Sequence, residues 1–152
     1  MSAIVISAFG DPGLARLRER VGVPVVGIGE ASLREAAEGG RRFGVATTTP
    51  DLEAPIVALV ARLGLAARFT GCRIPPGDPL VLAAHPGLQD EALAEAVRQA
   101  VERDGAEAVV IGGGPLARSA ARIASRFEVP VISPVAAAMR AVAALVPSGA
   151  PG

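Results

Sequence analysis

Few side chains in this sequence could carry out chemistry, and they do not form an obvious catalytic set. Cys72 is the single cysteine and His85 the single histidine in 152 residues. Hydroxyls cluster at Thr47-Thr48-Thr49, just after an apolar run. At a strand end before a helix, such hydroxyls and the backbone N–H groups suit a carboxylate or a ring carbonyl. Capping of the next helix by Thr49 or Asp51 uses the same orphan N–H groups and explains the cluster equally well. Asp11 could act as a base, but as N-cap before Pro12 it already has a structural role. Glu30 opens a helix and complements its dipole. Cys72 reads as a small, partly buried hydrophobe, and His85 as a loop residue before Pro86-Gly87 with no discernible partner. Gly112-Gly113-Gly114 lacks the Lys-Ser/Thr ending of a phosphate loop and the spacing of a dinucleotide fingerprint. A tight strand-to-helix turn explains it better.

These positions belong to a pattern that occurs twice. Ile4-Val5-Ile6-Ser7-Ala8-Phe9-Gly10-Asp11-Pro12-Gly13 leads through a helical stretch into Val23-Pro24-Val25-Val26-Gly27-Ile28. Val109-Val110-Ile111-Gly112-Gly113-Gly114-Pro115 leads through another into Val129-Pro130-Val131-Ile132-Ser133-Pro134. Each copy reads as buried strand, glycine turn, helix and Val-Pro-Val strand. Two such halves imply a pseudo-symmetric α/β protein with its site between equivalent strand ends. The residues in the two turns then decide the chemistry. They are Ala8 and Gly113, and neither can move a proton. Ser7 is adjacent, but strand alternation points it to the opposite face.

The elements that must position these turns follow from periodicity and punctuation. Strands are expected at 3–8, 23–28, 43–46, 67–74, 108–111 and 129–132, with a further strand or extended segment at 80–84. Helices are expected from Asp11-Pro12 through Val21, and over 30–38, 52–63, 88–103, 116–127 and 135–146. Glycines 39–40, 64 and 105 end three of them. Alternating strands and helices joined by short glycine turns indicate a parallel sheet. The expected organisation is a partial first lobe from 1–42 and 129–152, a second lobe from 43–128, and a frayed tail at 147–152.

Composition narrows the function. The chain is 51% hydrophobic, enough for a substantial core, and its formal net charge is +0 from 15 basic and 15 acidic residues. All the basic residues are Arg, so lysine Schiff-base chemistry is excluded. With no basic surplus, no Trp or Tyr and four Phe, a nucleic-acid footprint is not expected. One Cys and one His make a multi-ligand metal site improbable. No apolar run reaches membrane-spanning length and no signal-type start is visible, so a cytoplasmic protein is expected.

Several motifs in order resemble the hydantoin and allantoin racemases of the Asp/Glu racemase superfamily. They are Ala8-Phe9-Gly10-Asp11-Pro12-Gly13-Leu14, Val23 to Ala31, Phe43-Gly44-Val45-Ala46-Thr47-Thr48, Asp104 to Gly112, and Val129-Pro130-Val131-Ile132. The resemblance covers nearly the whole chain. It implies a cofactor-independent fold of two similar α/β lobes, with two cysteines facing each other across the substrate's α-carbon. One thiolate removes the α-proton while the other thiol protonates the opposite face, and helix N-termini lower the thiol pKa. Under this resemblance Gly10, Asp11, Thr47, Thr48, Gly112 and Gly114 would contact a small carboxylate or hydantoin-like ligand.

The sequence departs from that pattern at both proton-transfer positions. The family's cysteines map onto Ala8 and Gly113. The family's Asn-Pro-Asn-Thr-like turn has no counterpart, since the chain contains no Asn. The expectation is therefore a racemase-like, parallel-sheet α/β fold with an incomplete first lobe, no cofactor and no two-thiol racemisation. The alternatives are a non-catalytic small-molecule-binding or self-assembling module, or a degenerate fragment. An exposed sheet edge in the incomplete lobe would favour a homo-oligomer.

Overall fold

The computed structural model describes residues 4–6, 14–20, 22, 25–113 and 116–145. It is a parallel α/β architecture. β1 (Ile4–Ile6) pairs with β2 (Val25–Gly27), and α1 (Leu14–Arg20) joins them. The larger sheet has the order β4-β3-β5-β6, from β3 (Phe43–Ala46), β4 (Phe69–Arg73), β5 (Ala108–Ile111) and β6 (Val131–Ile132), all parallel. The connecting helices are α2 (Ile28–Ala36), α3 (Glu53–Arg62), α4 (Pro79–Ala84), α5 (Pro86–Glu102) and α6 (Ala117–Ile123). α7 (Pro134–Leu145) follows β6 and packs on α2.

Central position explains the apolar runs at β3 and β5, which are buried along their whole length. A strand covered on both faces has no polar side to show. Alternation divides the side chains between two cores. Phe43, Val45, Ala108 and Val110 pack with α2, α3 and α7, whereas Ala46, Val109 and Ile111 pack with α5 and α6. Phe69 brings its ring within 5.5 Å of Phe43 and extends the first core towards β4. No helix among the described residues is long and apolar enough to cross a membrane.

One expected element changes type. Residues 79–84 form α4 rather than a strand, because Asp78 caps the segment and accepts the Leu80 N–H at 2.8 Å, with Pro79 in the first turn. The Asp-Pro signal is the one visible at 11–12, and the apolar run after it masks it. Several boundaries also move. α2 begins at Ile28 instead of Glu30, and α6 gives way to a 3₁₀ turn at Ala124–Arg126.

α5 and α6 are tied together by polar contacts that the apolar pattern does not reveal. Arg122 pairs with the buried Asp90, its Nε 2.5 Å and its terminal nitrogen 2.9 Å from the two carboxylate oxygens. Gln89 Nε2 donates to Ser119 Oγ at 2.9 Å. On β4, Arg73 grips Asp104 in the same two-pronged way at 2.8 and 2.6 Å. Hydrogen bonds from the two guanidinium groups hold both carboxyls below their usual range, against the opposing effect of burial. The unfolded chain thus binds protons at these sites more readily than the folded one. Urea-unfolding stability should be level above about pH 5 and fall as the pH drops below about 4, towards the depressed native values. Asp90→Asn should flatten that acid limb.

Candidate functional site

The carboxyl end of β3 delivers Thr47 and Thr48, and the ladder fixes them from both sides. The Thr47 N–H donates to the Arg73 carbonyl at the end of β4, at 3.1 Å. On the other side the Gly112 N–H donates to the Ala46 carbonyl at 2.8 Å. The three strand ends therefore meet at one edge. Thr47 Oγ1 accepts the Thr49 N–H at 3.3 Å, which starts the turn into the Pro50–Leu52 3₁₀ segment and α3. This is the local hydroxyl-to-backbone bond expected of a Thr-rich turn.

Thr48 is different. It is 4% exposed, yet its hydroxyl has no hydrogen-bond partner among the described residues. No fully buried side-chain oxygen or nitrogen among those residues is left unpaired. The Thr48 hydroxyl is therefore not completely sealed from solvent, and it has a donor and an acceptor to offer.

Gly112 and Gly113 complete the turn, each for its own reason. A Cβ at Gly112 would stand 3.0 Å from Val45 Cγ1 and 3.4 Å from Thr47 Cβ. Only glycine lets β5 leave the sheet this close to the threonine turn. Gly113 has space around it, but its φ is +130°, a conformation that L side chains rarely adopt.

Four of the expected site positions, Thr47, Thr48, Gly112 and Gly113, thus come together. Ala8, Gly10, Asp11 and Gly114, with Ser7, lie outside the described residues. The remaining reactive side chains have other occupations. Glu30 forms ion pairs with Arg18 and Arg34 at 3.1 Å each. His85 is exposed, and its Nδ1 lies 2.9 Å from the Val81 carbonyl, which selects the tautomer that donates from Nδ1. Cys72 lies opposite Val45 on β4, where burial first and the Glu53 carboxylate second push its thiol up to about 12. No cluster of metal-ligating side chains occurs among the described residues. Sequence reasoning missed Arg73, whose carbonyl anchors Thr47. Backbone acceptors leave no mark in a residue pattern.

The profile of the Asp/Glu/Hydantoin racemase family matches residues 1–142. The chain belongs to that family. Hydantoin racemase from Paenarthrobacter aurescens is 32% identical over 147 residues, covering 97% of this chain and 62% of the relative. Hydantoin racemase from Pseudomonas sp. (strain NS671) is 34% identical over 149 residues, covering 98% of this chain and 60% of the relative. The solved allantoin racemase from Klebsiella pneumoniae superposes with a TM-score of 0.86 at 34% identity, over 94% of this chain and 58% of that one. This member of the Asp/Glu/hydantoin racemase family thus spans about 60% of the length of the curated relatives it matches. The parallel-sheet, racemase-like α/β fold expected from the sequence is the fold observed.

Two measurements check the geometry of this racemase-family turn. Gly112→Ala should lower unfolding stability by about 1–3 kcal/mol, because the fully buried Val45 cannot yield to the added methyl. Chemical denaturation would show it. Cys72 should alkylate slowly with iodoacetamide at neutral pH, and the rate should keep rising well above the usual thiol pKa of about 8.5. A plateau near pH 9 would contradict the burial.

Proposed function

We propose that this racemase-family chain binds a small carboxylate or hydantoin-like ligand at its threonine turn and does not racemise it by paired thiols. The observation that carries the reading is the hydroxyl of the 4% exposed Thr48, unpartnered among the described residues, beside a glycine turn without a thiol.

Racemisation at a carbon α to a carbonyl needs a base on one face and an acid on the other, each within hydrogen-bond reach of that carbon. In the resemblance two cysteines do this, and they map here onto Ala8 and Gly113. Cys72 does not substitute, since its thiol is too weak an acid to be a thiolate at neutral pH. Binding needs less. A hydroxyl can hold a carbonyl or carboxylate oxygen through one donated hydrogen bond, without proton transfer to carbon.

Incubation with an L-5-substituted hydantoin in D₂O, followed by proton NMR, separates binding from turnover. The α-proton should exchange no faster than in buffer, while excess ligand raises the melting temperature. Thr48→Val should weaken that binding about tenfold, the cost of one hydrogen bond to a polar ligand atom. Exchange well above buffer that disappears in Cys72→Ala would overturn the assignment.

A further inference from the structure

α2 and α7 face each other beside β2 through alanines, whose side chains are too short to fill the space. Ala31 of α2 and Ala141 and Ala144 of α7 line a cavity of about 350 Å³ that opens to the surface, with β2 also lining it. A well-packed domain leaves few apolar voids of this size, and the volume lies within the range of small-molecule sites. None of Thr47, Thr48, Gly112 and Gly113 lines it.

The charged side chains that line it are Arg18, Glu30 and Arg34. The single carboxylate is shared by two guanidinium groups, at 3.1 Å from each, which leaves a surplus of one positive charge. The two arginines are not equivalent. Arg18 is committed on both sides: Nε and one terminal nitrogen donate to the Val25 carbonyl at 3.1 and 2.9 Å, and the other terminal nitrogen pairs with Glu30. Arg34 gives only its Nε to Glu30, and its two terminal nitrogens have no partner among the described residues. Its side chain is 56% exposed. The neighbouring charges do not cancel the surplus at this cavity. Arg140 and Glu35 neutralise each other at 2.6 Å and hold α7 against α2, and Glu38 lines only the adjoining groove.

We infer that this cavity is a second binding site, one for a small monocarboxylate with an apolar tail, such as a short fatty acid. The tail lies against Ala31, Ala141 and β2, and the carboxylate meets the terminal nitrogens of Arg34. Each part follows from charge and shape. The planar fork of a guanidinium matches a carboxylate with two parallel hydrogen bonds. The alanine and valine surfaces favour a tail that leaves water, and an amine would add a like charge beside Arg34. The Arg140–Glu35 and Arg18–Val25 contacts fix the walls beforehand, so binding orders little of the chain.

Calorimetric titration with hexanoate, hexan-1-ol and hexylamine tests the site on the wild type, Arg34→Gln and Ala141→Leu. Position 34 is exposed and helical, and glutamine is a good helix former, so Arg34→Gln keeps the fold. The wild type should bind hexanoate about tenfold more tightly than hexylamine, the worth of one charge-assisted bond. Affinity should rise about fourfold per methylene from butanoate to hexanoate. Arg34→Gln should weaken hexanoate about tenfold and leave hexan-1-ol unmoved. Ala141→Leu, which fills the tail space, should weaken both; if that variant does not fold, Arg34→Gln decides alone. Failure of hexanoate to bind, or equal binding of hexanoate and hexylamine, would overturn the inference. So would hexanoate binding unmoved by Arg34→Gln, which would put the carboxylate elsewhere, the threonine turn included. Equal weakening of hexanoate and hexan-1-ol by Arg34→Gln would overturn it as well, since Arg34 would then shape the cavity without holding the charge.

Discussion

The pairing of β3 with both β4 and β5 is the interaction on which the rest depends. β3 lies inside the larger sheet, buried on both faces, and its end residues take part in ladders on both sides. Backbone hydrogen bonds in such a position are shielded from water, and breaking one leaves unsatisfied groups that the interior cannot compensate. The threonine turn inherits this rigidity. Thr47 is tied to β4 through the Arg73 carbonyl, and Gly112 is tied to β3 through the Ala46 carbonyl. The candidate site is in effect the frayed edge of a ladder that cannot fray further inward.

The same constraint explains why small residues surround the site. Parallel strands converge at this edge, and the space between Val45, Thr47 and Ile56 admits no side chain at Gly112. Gly113 answers a different demand, a backbone angle that other residues avoid.

The polar pairs on the flanks keep the helices in register with that frame. Asp90 with Arg122 and Gln89 with Ser119 join α5 to α6, the two helices that cover one face of β5. Arg73 with Asp104 clasps β4 to the chain that leaves α5. On the opposite face, Arg140 reaches Glu35 and ties α7 to α2. Each is a charge-assisted, two-pronged contact or a buried amide bond, so it restrains orientation as well as distance.

The sequence by itself determined the parallel α/β class, the strands at 43–46 and 108–111, most helices, and the resemblance to racemases. These features rest on local signals, namely apolar period, glycine and proline punctuation, and ordered motifs. It also drew attention to Thr47 and Thr48, with helix capping an equal explanation, and to Gly112 and Gly113 through the repeat and the resemblance to racemases. It misread 80–84, where an apolar run looks alike as strand or helix and only the Asp78 cap decides. Tertiary structure alone decided which hydroxyl is committed and which is open, since Thr47 and Thr48 differ only in what surrounds them. It also decided that Cys72 is half-buried with its thiol pKa raised, and that Leu80, Val81 and Leu88 are exposed. Exposure and hydrogen-bond partnership belong to pairs of distant segments, and a one-dimensional pattern carries no record of which segments meet.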